Sequence, residues 1–329
     1  MLLPTVITTS VVRSTHQGDS HGGVYLIDLE SGDLEQVIDW NDPTISWEGR
    51  GADRGLRGVA FYRDNVLIAA SDELFVYDQD FTLLDSYKNR YLKHCHEISA
   101  DEDELWLTST GFDSVLRFDL RKRSFVAGYH FRRFFPLQRI NRWRLFPRYR
   151  VREFDPHGID GPRPKDRLHI NNVRRVGSHL LISGTGFEHM LRVRDDSVEI
   201  ASSVPRGTHN VQPFRDGILL NHTATNQIAY LSRRGRLKKS FAITVYPENQ
   251  LTHASLPKDH ARQGFGRGLC TLGQSVIIGG SSPATITVFD FESGELLKTV
   301  NITMDVRNAV HGLEIWPFSP GEHCHEEAL

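Results

Sequence analysis

The chain reads as an all-β, six-bladed β-propeller of four-stranded blades. Three observations predict it: a recurring strand-turn-strand unit, six short copies of one innermost-strand pattern, and termini that complete each other. The recurring unit is seen in "VYLIDLESGDLEQVID" (24–39), "SVLRFDLRKRSFVAGY" (114–129) and "TITVFDFESGELLKTV" (285–300), with looser copies at 73–87 and 227–241. Each is an alternating, β-branched strand ending in Asp, a tight turn and a second strand. In "ESGD" and "ESGE" the glycine supplies the positive φ that the turn needs. Amphipathic helical windows are almost absent.

The innermost strands read "LRGVAF" (56–61), "CHEISA" (95–100), "INNVRR" (170–175), "THNVQP" (208–213), "GRGLCT" (266–271) and "VHGLEI" (310–315). An apolar second strand such as "NVLIAAS" or "SVIIGGS" follows each but the last. That gives four strands per unit and six units, the repeat signature of a propeller. "VHGLEI" has no strands after it, and the N-terminal strands have no innermost strand before them. The C-terminus therefore supplies the first strand of the blade that the N-terminus completes, closing the ring without an open edge. The propeller is expected to span 1–318, with a hydrophilic tail at 319–329.

Spacing exposes two insertions. Arg57 to His96 is 39 residues and Asn171 to His209 is 38, but His96 to Asn171 is 75 and His209 to Arg267 is 58. The excess lies near 131–166 and 244–263; loops this long in a compact domain carry function or are disordered. Within the first, residues 131–152 read "FRRFFPLQRINRWRLFPRYRVR", with eight arginines, six aromatics and no acid. This composition suits a surface that recognises anions, a partner chain or a membrane interface, and it is also a candidate oligomer contact. It is expected to form a lid over the channel mouth, on the side of the ring described next; packing of its aromatics on the propeller top is the plainer reading. The segment "LTHASLPKDH" is a second lid piece in this reading, with His253 and His260 as further catalytic candidates.

Composition excludes several function classes. With 329 residues, 39% hydrophobic content and a net charge of −2, nothing global points to nucleic acid. No uncharged apolar run is long enough for a membrane span. Three widely spaced cysteines argue against a disulfide scaffold and for a reducing, cytoplasmic location.

The site prediction comes from aligning the six innermost strands on Val59, Ile98, Val173, Val211, Leu269 and Leu313. Two positions earlier stand Arg57, His96, Asn171, His209, Arg267 and His311. In a propeller these positions meet around the channel axis. Starting from the clasp blade, the order is His, Arg, His, Asn, His, Arg. Histidines on alternate blades present three imidazoles about 120° apart. Three convergent neutral imidazoles suit one divalent transition metal (Fe, Zn, Mn or Cu) with open positions. His96, His209 and His311 are thus the expected metal ligands, and Arg57, Arg267 and Asn171 the expected binding groups for a small anionic substrate. The competing reading makes the histidines polar lining that binds water. His94 and His169, two residues before His96 and Asn171, are expected as catalytic proton carriers or additional ligands. Cys95 is expected to be an inert core residue, so "HCH" is not itself a ligand set.

The cores "HGL", "RGL", "RGV" and "HNV" resemble six-bladed propellers of the gluconolactonase/regucalcin type. The resemblance implies a metal at the channel mouth bound by the residue before the glycine or its equivalent, here His96, His209 and His311. That family uses carboxylates and Asn around a hard cation; His and Arg at these positions favour a softer metal. "KHCHEISADEDELWLTSTGFDSVLRFD" and "LHINNV" are also similar to uncharacterised bacterial propeller proteins, which implies no reaction. Two functions follow: a mononuclear metalloenzyme of hydrolase, lyase or oxygenase type, or a non-catalytic scaffold that docks a partner through 131–152.

Overall fold

The computed structural model describes residues 2–13, 15, 19–41, 55–134, 147–258 and 261–318. Six sheets form the blades of the predicted propeller. Blade 1 is the clasp. Its innermost strand, Asn308–Ile315, pairs antiparallel with Thr5–Val12, which leads to Gly22–Asp28 and Leu34–Asp39. The innermost strands of blades 2 to 6 are Val59–Tyr62, Ile98–Asp101, Ile170–Val176, Thr208–Phe214 and Leu269–Leu272.

The turn chemistry explains the Asp at the end of the third strand in blades 1, 2, 3 and 6. Asp28 Oδ1 accepts the N–H groups of Glu30 and Ser31 at 2.8 and 2.9 Å. Asp119 takes those of Arg121 and Lys122, Asp78 those of Asp80 and Thr82, and Asp290 that of Ser293. Each Asp side chain satisfies turn N–H groups that the ladder has released. Gly32 and Gly294 hold φ of 91° and 78°, as the two "ESG" turns require.

The core is distributed between blades. Leu67 and Leu74 of blade 2 pack with Leu105, Leu116 and Phe118 of blade 3, and Val276, Ile278 and Ile286 of blade 6 pack with Val6, Ile27 and Val310 of blade 1. Each fully buried aliphatic side chain contributes about 2 kcal/mol, so the stability of a blade depends on its neighbours. Cys95 and Cys270 are buried in this core, and burial pushes the Cys95 thiol up to about 12. It is an inert packing group, as expected.

The "RGV", "RGL" and "HGL" motifs have a packing cause. A Cβ on Gly312 would lie 2.3 Å from the Arg57 carbonyl oxygen of the next blade. One on Gly58 would meet Ile98 N at 2.8 Å, and one on Gly268 would meet Leu313 Cβ at 2.9 Å. Adjacent innermost strands therefore touch backbone to backbone where these glycines stand. Where the position is not Gly, its side chain bonds inside the channel instead. Asn172 Nδ2 donates to Val211 O at 3.0 Å, and Asn210 Nδ2 donates to Glu97 Oε1 at 2.6 Å.

The structure differs from the expectation in blade 3, which has five strands. Its fourth strand, Ser124–Phe134, is extended, and Arg148–Phe154 pairs with it from Gly128↔Phe154 to Phe134↔Arg148. The described residues 131–134 and 148–154 of the first insertion are thus continuous with the sheet. Ser114 pairs with both Ser109 and His130, which places residues 131–134 and 148–151 beyond the blade rim on the side where the innermost strands begin. Residues 155–168 then return across the top. Tyr91 Oη donates to Gly158 O and accepts from Gly161 N, both at 3.0 Å, and Lys165 N donates to Gly111 O. Arg142, Arg144, His260 and the tail from 319 lie outside the described residues. Among the described residues, no helix is long and apolar enough to cross a membrane.

Candidate functional site at the channel mouth

The six aligned residues stand at the head of the innermost strands, where the ladder is bulged. Arg57 N donates to Ala69 O while Ala69 N donates to Gly58 O, and Arg267, Gly268 and Gly280 repeat the pattern. Register shifts fall at the matching points of blades 1, 4 and 5. A bulge re-aims the side chain that it carries. Arg57, His96, Asn171, His209 and His311 are all buried.

The ring pairs cations with imidazoles. Arg57 Nη1 lies 3.4 and 3.3 Å from Nδ1 and Nε2 of His96, and Arg267 Nη1 lies 3.2 and 3.1 Å from the same atoms of His311. Near-equal distances place each guanidinium nitrogen off either lone-pair axis. The His96 and His311 rings are 6.3 Å apart. His96 Nδ1 donates to the His94 carbonyl at 2.8 Å, with Thr110 Oγ1 at 3.0 Å. The Thr110 hydroxyl is committed to Ile170 O. The proton therefore sits on Nδ1, and His96 Nε2 is the acceptor, with Arg57 Nη1 beside it at 3.3 Å. His94 contributes its backbone carbonyl, held at a φ of 53°.

His169 stands edge-on to His96 at 5.3 Å, and its Nδ1 bonds Asp166 at 3.0 Å. Its position is fixed from behind. The Asp113 carboxylate accepts the backbone N–H groups of Arg167, Leu168 and His169. Asn171 Nδ2 donates to Thr208 O on the next blade, and its Oδ1 is buried without a partner. His209 packs against Phe265 at 5.8 Å. No hydrogen bond of good geometry reaches either of its ring nitrogens, although the Gly207 carbonyl is near enough to favour protonation. Phe265 also lies under the guanidinium groups of Arg13, Arg262 and Arg267 at 4.9, 5.3 and 4.8 Å. It forms an apolar cap over this side of the ring. His253 bonds Asp305 instead of joining the ring.

Burial first, and then the neighbouring guanidinium groups, hold His96, His209 and His311 well below the usual imidazole range. All three are neutral at pH 7. The ring therefore combines neutral imidazoles with fixed positive charge. As placed, it is not a metal-ligand set: among the described residues no three His, Cys, Asp or Glu side chains could hold one ion.

Sequence reasoning missed the layer beneath. A channel section of about 270 Å³ is lined by Glu97, Ser99, Asn172, Arg174, Asn210 and Glu314. Desolvation and the Glu314 charge push the Glu97 carboxyl up to about 8. Desolvation pushes Glu314 up to about 7, against the pull of Arg174 at 4.0 Å. Water reaches the Glu314 side chain inside the channel, which is 37% exposed. The available signal was that Glu97 and Glu314 occur within two of the six aligned motifs.

The fold and this ring define the class: the chain is a six-bladed β-propeller with a mixed histidine–arginine channel mouth. No protein-family model and no curated protein sequence matches it. Among solved structures it is similar to a protein of unknown function from Bacteroides caccae, at 10% identity over 94% of this chain and 98% of that one, with a TM-score of 0.57. It is also similar to a chain of a nidogen/laminin complex, at 9% identity over 94% and 97%, with a TM-score of 0.55. A catalytically inactive virginiamycin B lyase from Staphylococcus aureus, solved with quinupristin, matches at 12% identity over 79% and 73%, with a TM-score of 0.45. At these identities the first two likenesses show the fold alone.

Proposed function

We propose that the channel mouth binds a small anionic molecule bearing a carboxylate or phosphate. The observation that carries this reading is the charge around the buried imidazoles. Among the described residues, the charged groups that act most strongly on His96 and His311 are guanidinium or imidazole groups. An anion would be drawn to Arg57 and Arg267 in a low-dielectric site, where a charge-assisted bond is strong. Asn171 Oδ1, unpartnered and buried, would accept from a ligand hydroxyl or amide. The neutral His96 Nε2 is an acceptor suited to taking a proton from such a ligand, with His169 beside it as a more exposed relay. The test is calorimetric titration of a panel of small carboxylates and phosphates into wild type and Arg267→Gln. Binding that Arg267→Gln weakens at least tenfold supports the reading. No binding, or equal binding by both proteins, refutes it and leaves the scaffold role.

A transition metal on His96, His209 and His311 is the second reading, favoured by the two buried, unbonded ring nitrogens of His209. It requires the three imidazoles to turn inward and Arg57 and Arg267 to leave the His96 and His311 rings. A bound metal would supply Lewis acidity or redox chemistry at the mouth. Elemental analysis of untagged protein and of His209→Ala decides it. Metal in wild type that is lost in His209→Ala supports the site, and no uptake by wild type on titration removes it.

A further inference from the structure

A second feature lies outside the ring, on the rim of blade 3. The extended hairpin and the returning segment enclose a groove of about 700 Å³. Six basic residues line it: Arg132, Arg133, Arg152, Arg163, Lys165 and Arg167, of which Arg133 turns its guanidinium to the Gly186 carbonyl of blade 4 at 3.4 Å. Two acids also line it, but they do not balance this charge. Asp113 is buried and turned onto three backbone N–H groups, which leaves Asp160 as the remaining lining acid against Arg132, Arg152, Arg163, Lys165 and Arg167.

The groove is built rather than merely decorated with charge. His130, 7% exposed, receives the Arg132 Nε–H on its Nε2 at 3.2 Å and donates from Nδ1 to the Phe112 carbonyl at 2.9 Å. One buried imidazole thus fixes the direction of one guanidinium from behind. Arg152 stands opposite His130 in the strand pairing. Arg167 precedes Leu168 and His169, whose N–H groups, with its own, are clamped by Asp113. Three of the cations are therefore fixed by a sheet register, a buried histidine and a buried carboxylate.

The geometry points to a site for a molecule carrying two or more clustered phosphate groups. The volume admits a ligand of that size, and cations on three walls match charge spread over several oxyanions. The aromatics argue against a single-stranded nucleic acid. Phe131 and Phe154 are 1% and 8% exposed, so neither offers a face on which a base could stack. The same phosphate chemistry occurs in soluble polyphosphates and in phosphoinositide headgroups, and the test separates these. The inference does not depend on the channel-mouth reading, because the two sites share no cation.

The full chain is titrated calorimetrically with inorganic tripolyphosphate at low salt, then with phosphatidylcholine vesicles with and without a bisphosphorylated phosphoinositide, and with a single-stranded oligonucleotide. The expected result is saturable tripolyphosphate binding that weakens at least tenfold in Arg152→Gln/Arg167→Gln and, independently, in Arg163→Gln/Lys165→Gln. Arg267→Gln should leave it unchanged. Saturation only on phosphoinositide vesicles, lost in the same variants, supports the site with the headgroup as source. Absence of any binding, binding untouched by both double variants, or an oligonucleotide that binds more tightly than tripolyphosphate would overturn it. Circular dichroism confirms that each variant is folded.

Discussion

Replacing Glu97 by Gln should lessen the loss of stability between pH 6 and pH 8, with the part due to Glu314 remaining. Glu97 lines the channel with its Oε1 2.6 Å from Asn210 Nδ2, facing Glu314, Arg174 and Arg267. Its carboxyl titrates at about 8 in the folded chain, against an ordinary value of 4.5. Between those values the folded state holds a proton that the unfolded state has released. Stability is therefore full below 4.5 and is lost as pH rises towards 8. Each pH unit inside the window costs up to about 1.4 kcal/mol. Glu97 is only partly buried, so water in the channel reduces this by about half, leaving roughly 1–1.5 kcal/mol between pH 6 and 8. For a chain of this length that is a Tm change of about 2 °C. Gln keeps the shape and the oxygen that accepts from Asn210, but has no proton to lose. Scanning calorimetry of both proteins at half-unit pH steps measures the slope. The same fall in Tm from pH 6 to pH 8 in wild type and Glu97→Gln would show that Glu97 is an ordinary carboxylate, and the reasoning fails.

The ring should impose the opposite limit. His96, His209 and His311 have folded values well below 6.5, so their contribution is present above 6.5 and is lost on acidification below it. His311→Asn should show a shallower loss of Tm between pH 6.5 and 5 than wild type, and an unchanged acid limb would contradict this. Gly312→Ala forces a Cβ to 2.3 Å from Arg57 O and should cost about 3 kcal/mol in urea denaturation; a loss below about 0.5 kcal/mol would mean that blades 1 and 2 separate easily. Asp113→Ala removes the acceptor of three N–H groups at a φ of 48° and should cost about 3 kcal/mol. Asp113→Asn, which tolerates that φ, should cost less. Hydrogen exchange at Arg167–His169 should rise in both.

Much of the architecture is local and therefore legible in the sequence. The Asp and Gly of "DLESGD" (28–33) form their turn from neighbouring atoms alone, and period-two alternation marks each strand because one-residue slips would reverse its faces. The clasp followed from counting strands. The ring was legible because pseudo-symmetry maps equivalent positions onto one axis, so Arg57, His96, Asn171, His209, Arg267 and His311 could be aligned without any contact being known.

What only the tertiary structure decided is which groups face each other and how dry they are. Arg57 lies against His96 and Arg267 against His311 because neighbouring innermost strands approach to backbone contact at Gly58, Gly268 and Gly312. Spacing along the chain cannot reveal this pairing. The carboxyls of Glu97 and Glu314 share a channel through strands 217 residues apart in sequence. Their raised proton affinity comes from desolvation, which no motif encodes. The basic groove likewise joins Arg132 and Arg152 to Arg163 and Arg167 only because a fifth strand pairs onto blade 3 and Asp113 holds the return segment beside it. Sequence determines which residues repeat, and the closing of the ring determines which of them lose water together.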